Sequence, residues 1–233
     1  YAAISSPGTW TEITDGFVAT KYPNAIFSLA STLTWIVGED GYIYFSDDVT
    51  QGVEVQADGS VSNEDLLCVH AVDSRNVIAG GENGALLVTD NGGAAWSAAD
   101  SVPASIGNIT ACWMRTKHSW LIGDDNGTLW YTSDAGSSWT QVTFPVSSPT
   151  VVTGIAFADH PDSPFGFMSV NTASAGYLLR TIDGGKNWYA LPDGAGSFPT
   201  NTGLGSVAVG NSSSFAVTGG TKTGGGILIV ASN

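Results

Sequence analysis

The amino-acid sequence predicts an all-β protein, specifically a five-bladed β-propeller built from four-stranded antiparallel blades. Three observations lead to this fold. The pattern Thr-x-Asp/Asn-x-Gly-x-x-Trp occurs at residues 89–96, 132–139 and 181–188, and a pattern that recurs along a chain indicates a repeat architecture. An alternating apolar run precedes each copy, as expected of a β-strand. The 30 Gly and 8 Trp among 233 residues favour short strands joined by tight turns.

Each repeat contains a first, a second and a third strand. The first strand is rich in small and apolar residues, which suit the crowded inner ring of a propeller. Asp-Gly or Asn-Gly often separates the second strand from the third, and such dipeptides between alternating runs are strong hairpin signals. The first strands begin at Ala25, Leu66, Ile109, Val151 and Leu204, and the second strands at Leu33, Asn76, Ser119, Phe165 and Ser214. The third strands are 42–46, 85–89, 128–132, 177–181 and 227–231.

The fourth strand of a blade begins at the Trp of the pattern, but the fifth repeat, anchored at Ala231, ends without one. Residues 8–14 are similar to the strand that begins at Trp139. We therefore expect this N-terminal strand, with Trp10, to complete the last blade and close the ring, which leaves only short protected edges. The first copy of the pattern, at 46–53, is degenerate. Residues 1–233 are predicted to form one domain.

Each letter of the pattern has a structural explanation. The Thr hydroxyl and the Asp carboxylate can accept hydrogen bonds from backbone N–H groups of a tight turn. The Gly supplies a positive φ angle, and the Trp covers the turn while it buries a large apolar area. The residues are Thr89, Asn91, Gly93, Trp96, Thr132, Asp134, Gly136, Trp139, Thr181, Asp183, Gly185 and Trp188.

On these residues the pattern resembles the Asp-box, or bacterial neuraminidase repeat. Over nearly the whole chain, the repeats are similar to propellers of the photosystem II stability/assembly factor-like family. The resemblance implies a propeller fold, structural turns remote from the active face, and a scaffold role. The chain departs from sialidases, which share the Asp-box, because it lacks an Arg-Ile-Pro signature. Its three arginines, Arg75, Arg115 and Arg180, also fall at non-equivalent levels of the strands.

Charge and composition restrict the partners. The 21 acidic and 7 basic residues give a net charge of −14, which repels nucleic acid and anionic lipid, and no apolar run is long enough to span a membrane. A surface rich in Ser, Thr, Asn and Gly is typical of extracellular or virion-surface proteins, and the resemblance adds that such propellers also occur as domains of bacterial and phage proteins. Cys68 and Cys112 lie about one register step apart in equivalent strands, which predicts two buried free thiols that point to opposite sheet faces.

Acidic residues collect in the turns between second and third strands, on the face expected to lie opposite the Asp-boxes. They could hold Ca²⁺ through oxygen ligands, provide a carboxylate pair for glycoside hydrolysis, such as Asp40 with Asp124, or attract a cationic partner. Ordinary turn chemistry also explains each of them. This candidate binding face consists of Glu39, Asp40, Glu82, Asp124 and Asp125.

The function expected from the sequence is a non-catalytic structural or interaction module that binds other proteins or surface glycans. Its expected location is extracellular or on a virion surface. The alternative is a glycan-active hydrolase that uses the carboxylates of the candidate face. His70, His118 and His160 share no metal-ligand spacing, and no catalytic, cofactor or metal residue is assigned.

Overall fold

The computed structural model describes residues 12–30, 32–158, 163–190, 202–209, 215–222 and 225–232. Their regular elements are β-strands and three short 3₁₀ turns, Glu39–Gly41, Val49–Gln51 and Glu82–Gly84. The prediction of an all-β fold is confirmed. Within these ranges, no helix has both the length and the apolar character needed to cross a bilayer.

The described strands form five antiparallel sheets, which we number I to V in chain order. Sheet I contains Pro23–Ala30 (β1), Leu33–Gly38 (β2), Tyr42–Ser46 (β3) and Glu54–Asp58 (β4). Sheet II contains Leu66–Ala71 (β5), Val77–Gly81 (β6), Leu86–Thr89 (β7) and Ser97–Ala98 (β8). Sheet III contains Ile109–Thr116 (β9), Ser119–Asp124 (β10), Leu129–Thr132 (β11) and Thr140–Val142 (β12). Sheet IV contains Pro149–Phe157 (β13), Gly166–Thr172 (β14), Gly176–Thr181 (β15) and Tyr189–Ala190 (β16). Sheet V contains Thr202–Val209 (β17), Phe215–Lys222 (β18) and Gly225–Ser232 (β19).

In every sheet each strand pairs with the strand that follows it in the chain. Sheets I to IV have four strands each, and the described part of sheet V has three. This series of four-stranded antiparallel sheets is consistent with a β-propeller. Of the strand expected to close the ring, residues 8–11, including Trp10, lie outside the described residues, and residues 12–14 are described without a strand.

The core consists of apolar layers between successive sheets. Alternate residues of one strand enter different layers, as a pleated strand requires: Leu87 packs between sheets I and II, whereas Leu86 packs between sheets II and III. Similar layers join sheets III and IV and sheets IV and V. The central strands are therefore buried on both faces, which explains why β6 and β10 have apolar residues without a polar alternation.

The first strand of every sheet contains a β-bulge near its start. Three bulged side chains donate hydrogen bonds to the first strand of the next sheet. Asn24 Nδ2 donates to the Leu66 carbonyl over 3.1 Å, Thr110 Oγ1 to Val152 over 2.6 Å, and Thr153 Oγ1 to Gly205 over 3.0 Å. A bulge adds one residue and redirects its side chain. These bulges therefore link successive sheets as well as bending them.

Candidate functional site

The three repeat turns, residues 89–96, 132–139 and 181–188, are closed by the same hydrogen bonds. In the middle turn, Thr132 Oγ1 accepts from the backbone N–H groups of Asp134 and Gly136 over 3.2 and 3.1 Å, and donates to Asp134 Oδ1 over 2.7 Å. Asp134 Oδ1 also accepts from the Ser138 N–H over 2.8 Å. Thr89 with Asn91 and Thr181 with Asp183 form equivalent bonds. In each turn, the Thr hydroxyl and the side-chain oxygen of Asp or Asn thus form hydrogen bonds with residues of the same turn.

Positive φ angles complete these turns. Gly93, Gly136 and Gly185 have φ of 91°, 84° and 90°, where a side chain would be strained. The residue before each Gly is also left-handed, and in the middle turn it is Ala135, with φ of 59°. Hydrogen bonds from Ser138 and then from Thr132 lower the pKa of Asp134 to about 2. These observations agree with turn-forming roles for these residues.

The tryptophans of the repeat turns also form hydrogen bonds, and the degenerate first copy of the pattern keeps some of the turn bonds. Trp96 and Trp188 are nearly buried, and the indole N–H groups of Trp96, Trp139 and Trp188 donate to Gln56 Oε1, the Ser101 carbonyl and the Gly185 carbonyl. The first turn lacks this Trp. Its Asp48 accepts from the Thr50 N–H over 3.0 Å, and its Ser46 hydroxyl donates to the Gly52 carbonyl over 2.7 Å.

The acidic residues of the candidate face lie at the other end of the third strands. We call residues 39–41, 62–65, 82–84, 106–108 and 124–127 the acidic loops. In sheet II, for example, Glu82–Gly84 precedes β7 and the repeat turn follows it, so the two are separated by about 15 Å at ~3.3 Å per residue. The acidic loops and the repeat turns therefore occupy opposite ends of the sheets.

Asp124 is an interior residue of this region. Its side chain is fully buried, with 0% exposure. Oδ1 accepts from the N–H groups of Asn126 and Thr128, and Oδ2 accepts from the Gly107 N–H and the Thr128 hydroxyl. The distances are 3.2 Å to the Asn126 nitrogen and 2.7 Å to the Thr128 nitrogen. They are 3.0 Å to the Gly107 nitrogen and 2.8 Å to the Thr128 hydroxyl. Asp124 thus ties the connection between sheets II and III to the turn before β11, and its carboxylate does not reach solvent.

The other four residues of the candidate face reach the surface to different extents. Asp125 is exposed, and both of its oxygens accept bonds from Asn108, over 2.9 and 2.8 Å. Asp40 is exposed and forms an ion pair with Lys21. Glu39 and Glu82 are half-buried, and Glu39 Oε2 accepts from the Tyr22 N–H over 3.3 Å.

Two acidic residues of this face were missed from the sequence. Asp65 Oδ1 accepts from the Asp40 N–H over 2.9 Å, and Glu64 Oε2 accepts from Asn83 Nδ2 over 2.7 Å. Both lie in the connection that leads into β5, so the only signal was their position just before a first strand. The connections between sheets and the turns before third strands therefore form one hydrogen-bonded surface.

The chemistry available at the acidic loops is limited. Within the described ranges, no group of three or more His, Cys, Asp and Glu side chains is arranged to hold a metal ion, so the donor set does not fit the Ca²⁺ site considered from the sequence. Asp124 cannot act with Asp40 as a catalytic pair, because its carboxylate is enclosed by four donors. What remains at the surface is a set of carboxylates held by short, hydrogen-bonded loops.

A cavity of about 590 Å³ is lined by the first strands of all five sheets. Its described lining includes Asn24, Thr110 and Thr153 and contains no Asp, Glu, Lys or Arg. His70 lies 3.8 Å from Trp113 and 4.3 Å from Phe27 between ring centroids, and it is buried. His70 Nδ1 accepts from the Met114 N–H over 3.2 Å. His160 lies outside the described residues.

Arg75 and Arg115 make their hydrogen bonds at different sheets. Arg75 Nε donates to the Asp90 carbonyl over 3.1 Å, beside the repeat turn of sheet II. Arg115 Nη2 donates to the Ser163 carbonyl over 3.0 Å and lies 5.2 Å from the ring centroid of Phe157. Arg75 and Arg115 therefore bind carbonyl groups of different segments, one beside the repeat turn of sheet II and one before β14.

No family model and no curated protein matches this chain. Solved structures do. A structure of YCF48 bound to D1 peptide is 16% identical, with a TM-score of 0.51, and the match covers 92% of this chain and 94% of that one. The GH74 enzyme of Niastella koreensis is 17% identical, with a TM-score of 0.67 and coverage of 91% and 37%. The RRP9 WD40 repeats are 12% identical, with a TM-score of 0.65 and coverage of 91% and 67%.

These similarities support a β-propeller fold. The chain spans little more than a third of the GH74 enzyme but nearly all of the peptide-bound YCF48 chain. Because a peptide-bound protein and an enzyme share the architecture, the fold alone does not choose between binding and catalysis. The choice depends on the residues at the acidic loops and in the cavity.

Proposed function

We propose that this chain is a non-catalytic protein-interaction module, and that its acidic loops bind a positively charged segment of a partner protein. The observation that carries the proposal is the state of the carboxylates. Asp124 is enclosed, whereas Asp125, Glu82 and Asp40 lie at the surface on loops fixed by hydrogen bonds. Fixed surface carboxylates favour electrostatic recognition, because little ordering of the loops is needed on binding.

The comparisons support an interaction role without specifying the partner. YCF48 resembles this chain over nearly its whole length and is described as bound to a peptide. RRP9 contributes a second similar structure, that of its WD40 repeats. In addition, a net charge of −14 attracts cationic protein surfaces and slows association with anionic ones.

Glycan hydrolysis is the second candidate function, because GH74 enzymes share the fold. A glycosidase needs two carboxyl groups about 5–10 Å apart, one of which remains protonated. Glu82 and Asp125 are two of the acidic side chains of this face that remain once Asp124 is removed from consideration. The test is to assay the chain for hydrolysis of a panel of β-glucans and xyloglucans. If any of them is hydrolysed, and if Asp125→Asn abolishes the hydrolysis without changing the Tm, the chain is an enzyme and the non-catalytic proposal is wrong.

Binding is tested with a labelled lysine-rich peptide as the probe, followed by fluorescence anisotropy. We expect the double variant Glu82→Gln/Asp125→Asn to weaken binding about tenfold, because each exposed charge pair contributes up to ~1 kcal/mol. The control is Asp47→Asn/Asp90→Asn, which changes the net charge equally but alters exposed residues at the repeat-turn end; its affinity should change less than about twofold. Equal weakening in both variants, or no binding by the wild-type chain, would contradict the proposal.

The finer architecture is proposed as well: five blades, with sheet V completed by residues 8–11 of the strand expected at 8–14, since residues 12–14 are described without a strand. The support is that one cavity is lined by the first strands of all five sheets, and that described sheet V has three strands where the others have four. Deletion of residues 1–11 should lower the free energy of unfolding by several kcal/mol, since it removes a strand and Trp10. An unchanged unfolding curve would exclude this closure.

An extracellular or virion-surface location remains a prediction from composition. Surface glycans are the alternative class of partner expected from the sequence. Immunogold labelling of intact particles or cells with an antibody against this chain tests the location. Labelling confined to the cytoplasm would contradict it.

A further inference from the structure

Cys68 and Cys112 come from different sheets but lie in the same apolar layer, between sheets II and III. Cys68 is paired with Gly80 on β6, and Cys112 with Ile122 on β10. The sequence placed them on opposite faces of equivalent strands. Because neighbouring sheets stack face to face, opposite faces of successive sheets meet in one layer. Cys68 and Cys112 accordingly lie in one cluster of packed residues, and the neighbouring Cys68 thiol raises the pKa of the Cys112 thiol.

The surroundings hold Cys68 against sheet III. Its Sγ contacts the Ile109 carbonyl at 3.6 Å and the Gly80 carbonyl at 3.7 Å, and Ile109 begins the strand that carries Cys112. A side chain at Gly80 would put a Cβ 2.9 Å from Cys68 Sγ and 2.5 Å from Ile109 Cγ2. The absence of that side chain therefore leaves the room in which the two thiols meet.

The other sheets show what these positions contain when no sulfur is present. In register, Ala25, Ala111 and Gly154 occupy the place of Cys68, and Ile26, Val69 and Ile155 occupy the place of Cys112. Packing at these two positions is thus satisfied by small residues and by β-branched apolar residues. Sheets II and III each have a cysteine at one of these positions, and the two cysteines lie in the same layer.

We propose that Cys68 and Cys112 are an oxidation site that closes to a disulfide between sheets II and III when the chain folds in the presence of a small-molecule disulfide. One thiolate attacks the small disulfide, forms a mixed disulfide and releases one small thiol. The second thiolate then displaces the remaining small thiol. The two cysteines lose two protons and two electrons, and the oxidant gains both as two small thiols.

The folded chain protects the pair from later reaction. Both thiols are free and buried. Burial first, and then the contact with Cys68, raise the pKa of the Cys112 thiol well above its ordinary value. Because the thiolate is the reactive species, the disulfide forms while the sheets are still open during folding, and the closed layer then excludes reductants.

The experiment refolds the unfolded, reduced chain with a mixture of oxidised and reduced glutathione. We expect a mass loss of about 2 Da and no free thiol after denaturation, a tryptic peptide that joins Cys68 to Cys112, and a Tm about 5 °C or more above that of the reduced chain. Two free thiols after denaturation, or disulfide-linked dimers in place of the internal bond, would overturn the proposal.

Two variants separate the chemistry from a folding defect. Cys68→Ala and Cys112→Val place in each position a residue that an equivalent position already contains, so both variants should fold. Neither should show a Tm difference between oxidising and reducing refolding. If either variant shows the same Tm rise as the wild-type chain, the disulfide is not its cause and the proposal fails.

Discussion

The hydroxyl of Thr132 provides the sharpest test of how the repeat turns stabilise the fold. It is 1% exposed and accepts from the N–H groups of Asp134 and Gly136. Thr132→Val retains the β-branched shape and removes the acceptor. The buried Gly136 N–H then loses its partner, whereas the N–H of exposed Asp134 can bond to water. A buried N–H without an acceptor costs about 1–3 kcal/mol.

We therefore expect Thr132→Val to lower the free energy of unfolding by about 2 kcal/mol, which corresponds to a fall in Tm of roughly 4–8 °C for a chain of this size. Urea unfolding followed by tryptophan fluorescence measures the change. The matched control is Thr140→Val, an exposed Thr in β12 of the same sheet, which should stay within about 0.5 kcal/mol of the wild-type chain. If Thr132→Val also stays within that range, the turn does not depend on its hydroxyl and the reasoning is wrong.

Three further predictions concern the same scaffold. Thr110→Val removes the hydrogen bond to Val152 in the next sheet and should lower the free energy of unfolding by about 1 kcal/mol in urea titrations; no loss would show that the bulges do not link sheets. In the folded chain the pKa of Asp134 is lowered to about 2. The ionised carboxylate therefore stabilises the fold fully above the unfolded pKa of 3.8, and this contribution is lost as the pH falls toward 2. The Tm of Asp134→Asn should lack this part of the pH dependence, and a Tm profile identical to that of the wild-type chain would refute the prediction. Gly92 and Ala135 both have positive φ, which costs free energy for any residue with a Cβ. Gly92→Ala should therefore lower the free energy of unfolding by about 1 kcal/mol, and Ala135→Gly should raise it by about 1 kcal/mol. Changes of the same sign in the two variants would contradict this account.

Much of the architecture could be predicted because its signals are local. The third strand of sheet I was expected at 42–46, and the structure gives Tyr42–Ser46. Strand alternation and turn residues determine such an element within a few positions. The same holds for the repeat turns, whose hydrogen bonds join residues two to four positions apart.

Contacts between distant segments could not be predicted in the same way. Asp124 precedes a turn, like Asp40, and the sequence gives no sign that Gly107 donates to its carboxylate from the preceding connection. The bulge at Thr110 adds one residue to a strand, and a period-two pattern does not show which residue is added. The contact between Cys68 and Cys112 likewise follows from the stacking of two sheets.

Amide hydrogen exchange, measured with and without the lysine-rich peptide at saturation, tests the proposed interaction surface most directly. The account predicts slower exchange in the acidic loops, at residues 39–41, 62–65, 82–84, 106–108 and 124–127, with unchanged exchange in the repeat turns at 89–96, 132–139 and 181–188. Slower exchange in the repeat turns, with unchanged exchange in the acidic loops, would contradict it.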